Sequence, residues 1–484
     1  MRVEIYLKRN TMIEFYPANI PPNFSLRQGF LMLLRAIVLV LVGLTSSLFA
    51  STDSSIQQTK LDNGLEVLVV ENHQSPVVYS SIWYRVGGSD EPNGLTGISH
   101  MLEHMMFKGT ESYPDGIFKK SIAERGGKQN AMTSRDFTAY YQMIPSSALD
   151  YVMHLEADRM QQLAPTQSAF DKEHAVVMEE RRMRIDDNPQ GKTWLHFNAT
   201  ASINGPYHQP VIGWLPDIEQ YQLNDVMRWY HQWYGPNNAV IIVIGDVTAA
   251  QVFKTVKHYF GDIPAIELPV RKNKMEVASF GPRQVNLKLP AQLPWLVLGY
   301  NVPSLSQLSQ QDQWQAYALY LAAEILSQQK SGRIAEQLIR KQRLVSSGSV
   351  WYDLFSRFQS LWVIQVTPEQ SKSIAAVKDG LIAQVHLLQT QPVSSKVLER
   401  VKKQIIAAHT FSKDSIENQA KELGSAKMSG VALNLIAEFD QHIAAVTPSQ
   451  IQQVAQRYLT MQQLTIGELE PQSVPSKQTV KSSL

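Results

Sequence analysis

Two histidines and a glutamate stand at a spacing that suits metal chemistry: His100, Glu103 and His104, a His-x-x-Glu-His pattern within GISHMLEHMMFKGT. On a helix, residues four apart share a face, so both imidazoles can reach one ion with Glu103 beside them. Zinc favours such ligands. A catalytic zinc takes three protein ligands and leaves a fourth position to water, whose pKa it lowers toward ~7, and Glu103 would then accept that water's proton. The alternative is that Met101, Leu102, Met105, Met106 and Phe107 are core and the histidines incidental. The preceding YRVGGSDEPNGLTG reads as an irregular loop, with Thr96 or Ser99 as a cap for the helix.

These residues resemble the pitrilysin/insulinase family of zinc peptidases, the inverzincins, in which the His and Glu order is reversed relative to His-Glu-x-x-His. In that family a third ligand, a Glu, comes from a later helix, in a run that begins with a Glu and closes on a Glu-Glu pair. The chain has Glu173-His-Ala-Val-Val-Met-Glu179-Glu180. The resemblance implies that Glu180 is the ligand and Glu173 the family's second essential acid. The seven-residue spacing is nearly two helical turns, so these two carboxylates share a face, whereas Glu179 turns to solvent. Glu173 is expected to orient a ligating histidine.

The likeness extends along most of the chain. Glu124–Ser134 (ERGGKQNAMTS) is similar to the family's Gly-Gly-x-x-Asn-Ala-x-Thr segment, where an edge strand pairs with substrate backbone, which makes Asn130 and Ala131 the implied substrate contacts. A Gly-Gly turn feeding an ordinary strand is the plainer reading. Trp233–Asp246 resembles the strand before the last helix of the family's first domain, and Asn63-Gly64 reads as a hairpin turn. One departure stands out. Active members carry an Arg and a Tyr in the second domain, but here Arg340 is followed by Ser346 where the Tyr is expected. Arg340 is the implied substrate contact, although Arg340 and Arg343 could be surface cations. Either Tyr352 or another hydroxyl supplies the missing group, or a second, homologous chain supplies the pair, and the last is preferred: a heterodimeric clamshell, or failing that a homodimer.

The expected architecture is α+β, two homologous domains, each an antiparallel sheet packed with helices, forming half of a clamshell chamber. With 484 residues, the chain divides into a leader over 1–50, a zinc-binding domain over 51–262, a Pro- and charge-rich linker over 263–280, a metal-free domain over 281–470 and a tail over 471–484. In the second half the patterning predicts strands at 284–289, 295–300, 347–352 and 361–367, and helices at 311–328, 368–390 and 394–411. Leu33-Leu-Arg35, the apolar Ala36–Leu44 and the small residues before Ala50 resemble a bacterial secretory signal, and the stretch before Met32 is unlike an ordinary signal start, so translation is expected to begin at Met32 or the upstream stretch to be an over-extension of the gene. Cleavage near Ala50 would make the protein periplasmic or secreted; an uncleaved anchor is the alternative and the only route to a membrane.

The absence of cysteine excludes disulfides, thiolate nucleophiles and Cys-ligated zinc. A net charge of +2 without a basic, aromatic-interleaved run argues against nucleic acid. The histidines other than His100 and His104 show no ligand spacing. The resulting expectation is a zinc metallopeptidase with one Zn2+ per chain, hydrolysing unfolded peptides or oligopeptides in the bacterial envelope. Its rivals are a non-catalytic chamber-forming subunit of the same family and a peptide-binding module.

Overall fold

The structure is a computed structural model that describes residues 56–327 and 331–472. The expected leader and most of the tail lie outside these residues. Among the described residues no helix is long and apolar enough to cross a membrane.

Two sheets organise the chain. The first comprises β1 (Gln57–Lys60), β2 (Glu66–Glu71), β3 (Val77–Tyr84), β4 (Lys128–Thr133), β5 (Thr138–Pro145) and β6 (Ala239–Gly245), in the order β1-β2-β6-β3-β5-β4. The second comprises β7 (Arg283–Pro290), β8 (Trp295–Val302), β9 (Val345–Tyr352), β10 (Ser360–Pro368) and β11 (Leu464–Gln472), in the order β7-β11-β8-β10-β9. The expectation of purely antiparallel sheets needs correction, because β2 pairs β6 in parallel and β7 pairs β11 in parallel. In each half the last strand returns after a long helical excursion and inserts into the interior of the sheet, a connection that hairpins cannot make. The apolar run of β6, AVIIVIG, is buried at every residue, as a strand covered on both faces must be.

Strand alternation splits the first sheet into two apolar faces. Val67, Val69, Ile82, Tyr84, Ile241 and Val243 join a core built with helices of their own half. Leu68, Val70, Tyr79, Trp83, Ile242 and Ile244 join the core of the second half. The helix Ile416–Ser429 closes this second face by packing on β3 and β6, and a methyl group at Gly424 would lie 2.3 Å from the Trp83 ring. The exchange is reciprocal. Helix Pro189–Ala201 of the first half lies on β7, β8 and β11, where the fully buried Phe197 covers Gly299 and Gly467.

The stretch 263–280 carries neither helix nor strand and is strapped to the first half. Ile266 exchanges hydrogen bonds with Asn237 at 2.8 and 3.0 Å, Arg271 pairs with Asp90 at 2.9 Å, and Glu276 accepts the backbone N–H groups of Ile203, Asn204 and Gly205. In the second half, elements form near their predicted places, with one shift. The helix expected from Pro368 begins at Ile374, because Pro368 still belongs to β10 and the Ser373 hydroxyl caps the helix by accepting from Ala376 N.

Candidate active site

The histidines sit on helix Ile98–Met105, whose cap differs from expectation. Neither Thr96 nor Ser99 caps it. Gly97 occupies the N-cap at φ +88°, and the carboxylate of the buried Glu91 accepts the backbone N–H of Gly97 at 2.6 Å and of Ser99 at 2.8 Å. Burial pushes the Glu91 carboxyl up to about 7 even though those two N–H groups favour its charged form. Thr96 Oγ1 instead donates to Asp217 and accepts Trp214 N, while Ser99 Oγ accepts Trp229 Nε1. The helix start is thereby fixed to three separate segments.

Helix Gln167–Arg181, capped by the Thr166 hydroxyl on Ala169 N, packs against the histidine helix and brings in the carboxylates. Glu180 Oε2 lies 3.8 Å from His100 Nε2 and 3.5 Å from His104 Nε2. One donor atom from each of the three residues lies within 4.8 Å of the others, the sole group of this kind among the described residues. Donors held at ~2.0–2.1 Å around a tetrahedral ion sit roughly 3.4 Å apart, so the cluster is close to the right size for zinc and too open for direct hydrogen bonds. Burial, reinforced by the neighbouring His104 and Arg184 charges, pulls His100 down to about 3. His100 is therefore a neutral imidazole, the form that ligates a metal, and its Nδ1 is buried with no hydrogen-bond partner. The residues fit the ion.

Around this trio stand groups that orient it. Glu173 Oε2 lies 3.0 Å from His104 Nδ1 and its other oxygen 2.6 Å from Lys108 Nζ, so Nδ1 is the protonated nitrogen and Nε2 is free to face the cluster. Burial raises the Glu173 carboxyl, but the bonds from Lys108 and His104 outweigh it and hold the group below the usual range. Arg184 takes Glu180 Oε1 at 2.8 Å, leaving Oε2 toward the histidines. Glu179 is half exposed and bound to Arg182. Glu103 stands outside the ligand set and accepts the Thr133 hydroxyl on Oε2. Burial pushes Glu103 up, against the lowering effects of the Thr133 bond and the His104 charge.

Asn130 and Ala131 lie on β4, an edge strand that pairs with β5 alone among the described residues. The Ala131 N–H is covered by Asn130 Oδ1 at 2.9 Å, so a peptide joining this edge must displace that side chain. Arg340 is carried by the second half, on a π-helical turn, Ile334–Lys341, that packs on β9. The suggestion that Tyr352 replaces the missing tyrosine is corrected. Its side chain is buried, and its hydroxyl donates to Pro303 O at 2.6 Å. Ser346, exposed on the edge strand β9, donates to Thr367 O at 3.2 Å.

Sequence reasoning did not single out Glu91, Lys108 or Arg184, and it placed Thr133 in the Gly-Gly-x-x-Asn-Ala-x-Thr segment without giving it a role. One was findable, since Arg184 follows Glu180 by four residues along a continuing helical path, whereas Lys108 lies past the end of helix Ile98–Met105 and pairs with Glu173. Glu91 and Thr133 reach the site through tertiary structure, which no local spacing signals.

Residues 66–213 match the family model described as Insulinase (Peptidase family M16), and residues 220–405 match the Peptidase M16 inactive domain. A zinc protease of Helicobacter pylori, PqqE, is 30% identical over 378 residues, covering 75% of this chain and 83% of that protein. The crystal structure of a protease from Helicobacter pylori superposes with a TM-score of 0.81 at 28% identity, over 86% of this chain and 100% of that one. The periplasmic protease PqqL from Escherichia coli shares the fold, with a TM-score of 0.72 at 18% identity over 88% of this chain and 49% of that one. Two adjacent family models, a relative matched over most of both lengths and a cluster of two histidines and a glutamate together lead to one conclusion: the chain belongs to the M16, or insulinase, family and is a zinc protease.

Proposed function

We propose that this protease hydrolyses unfolded peptides or oligopeptides in the bacterial envelope, with Glu103 as general base. The observation that carries the reading is that Glu103 shares the helix of His100 and His104, stays outside their cluster with Glu180, and is hydrogen-bonded to Thr133 of the edge strand β4. Zinc, when bound there, lowers the pKa of a water and offsets negative charge developing on the scissile carbonyl. The chain's residues do the rest. Glu173 and Lys108 fix the His104 ring. Glu103 takes a proton from the attacking water and returns it to the leaving amine. β4 receives the peptide main chain to main chain, which demands an extended substrate and reads little of its sequence.

An unstructured peptide should be cleaved, a folded protein containing the same segment should resist, and a chelator should abolish cleavage until zinc is restored. Undiminished hydrolysis by protein shown to be metal-free would overturn the reading. The envelope location is supported by the signal-like Leu33–Ala50 and by the distant relative PqqL, itself a periplasmic protease.

The assembly proposed is a pair of chains, in which a homologous partner contributes the Arg and Tyr to one chamber. Ser346 in the tyrosine's place and the engaged hydroxyl of Tyr352 support it. The purified chain should then cleave slowly by itself, and a homologous chain retaining both residues should raise the rate on the order of 10²-fold, the scale set by misplacing a substrate by about 1 Å. Full activity from this chain alone, with no partner, would reject the two-chain arrangement.

A further inference from the structure

β4 serves two purposes. Its outer edge is open, and its last residue, Thr133, donates its hydroxyl proton to Glu103 Oε2. Ala131 and Thr133 are two residues apart and share a strand face, and Ala131 packs on the core that contains the histidine helix. The face that meets the catalytic helix and the edge that would meet a peptide thus belong to the same six-residue strand. An ionised carboxylate only accepts hydrogen bonds, and a threonine hydroxyl has one proton to give, so this bond uses one lone pair of Oε2, anchors that oxygen to β4 and leaves Oε1 without this partner. Glutamate turns about three bonds. Threonine is stiff at χ1, so a donor on a paired strand removes freedom that Glu103 would otherwise keep.

We propose that Thr133 is a positioning residue for Glu103, and that pairing of a peptide along β4 and alignment of the base are one mechanical event. The inference rests on the reading of Glu103 as general base. A substrate strand added to the open edge stiffens β4 and, through Thr133, holds the carboxylate in its reactive orientation. The contribution therefore falls on the chemical step and leaves peptide capture, which uses the backbone of β4, largely untouched.

The test compares Thr133→Val, which keeps the branched shape and removes the donor, with Thr133→Ser, which keeps the donor. Thr133→Val should lower kcat on the order of 10²-fold, as a misaligned group does, with KM within about twofold. It should retain the wild-type zinc content and the wild-type affinity for a peptide whose scissile bond is a reduced, uncleavable CH2–NH linkage, read by calorimetry. Thr133→Ser should recover most of kcat. Should Thr133→Val fail to fold, Thr133→Ala, which needs no extra space, carries the same expectation. Wild-type kcat in the Val and Ala variants overturns the proposal, as does a Ser variant as slow as Val. A rise in KM or a loss of peptide affinity with kcat intact would make Thr133 a substrate contact instead. An inactive Glu103→Gln beside a fully active Thr133→Val sinks this inference alone, whereas an active Glu103→Gln sinks the reading beneath it.

Discussion

Glu103→Gln should bind zinc as fully as the wild type and yet lose peptide hydrolysis by ~10²–10⁴-fold, the range that removal of a general base produces. The amide has the shape of the carboxylate and keeps an oxygen for the Thr133 hydroxyl, so the packing around residue 103 survives. His100, His104 and Glu180 are untouched, so the metal stays. What disappears is the carboxylate that shares the helix of the two histidines while remaining outside the ligand set. Zinc content measured alongside turnover separates the two effects. Full zinc with activity within about tenfold of wild type would show that another group does the proton transfer.

The second large effect concerns neighbours in sequence. Glu180→Gln should lose most of its zinc affinity and Glu179→Gln should lose none, since adjacent helical residues point ~100° apart and only one can face the histidines. Glu180 Oε2 is 3.5 and 3.8 Å from the two imidazoles, while the Glu179 carboxylate is out in solvent against Arg182. Replacing Glu180 leaves two imidazoles and a weak amide oxygen, with Arg184 deprived of its carboxylate partner beside the ion. Competition with a chromogenic chelator reads both variants directly. Equal loss in the two, or loss at Glu179 alone, would mean that the helix presents a different carboxylate to the metal.

What sequence could supply follows from the range of the interaction. His100 with His104, and Glu173 with Glu180, are related within single helices, so spacing alone puts each pair on one face. The bond between Glu173 and His104 spans 69 residues, and its partner was suggested by family resemblance, not by spacing. The Glu91 cap was missed because an acid upstream of a Gly-rich loop carries no mark of where the loop returns it. Tyr352 looked available because a strand sequence does not say which alternate residues face Pro303. The parallel pairs β2–β6 and β7–β11 were hidden for a related reason. Alternation announces a strand and its faces but not the direction of its neighbours.

The exchanged helices bear on why the metal-free half is retained at all. Helix Ile416–Ser429 closes a face of the sheet that carries β4, and helix Pro189–Ala201 closes a face of the other sheet, so each half finishes its interior with a piece of its neighbour. Scission of the peptide chain within 263–280 would leave two fragments still clasped together, and neither would be a self-sufficient protein. A half whose described residues hold no metal-ligand cluster of their own is thus joined to the other by packing as well as by the chain, as the piece that completes its sheet.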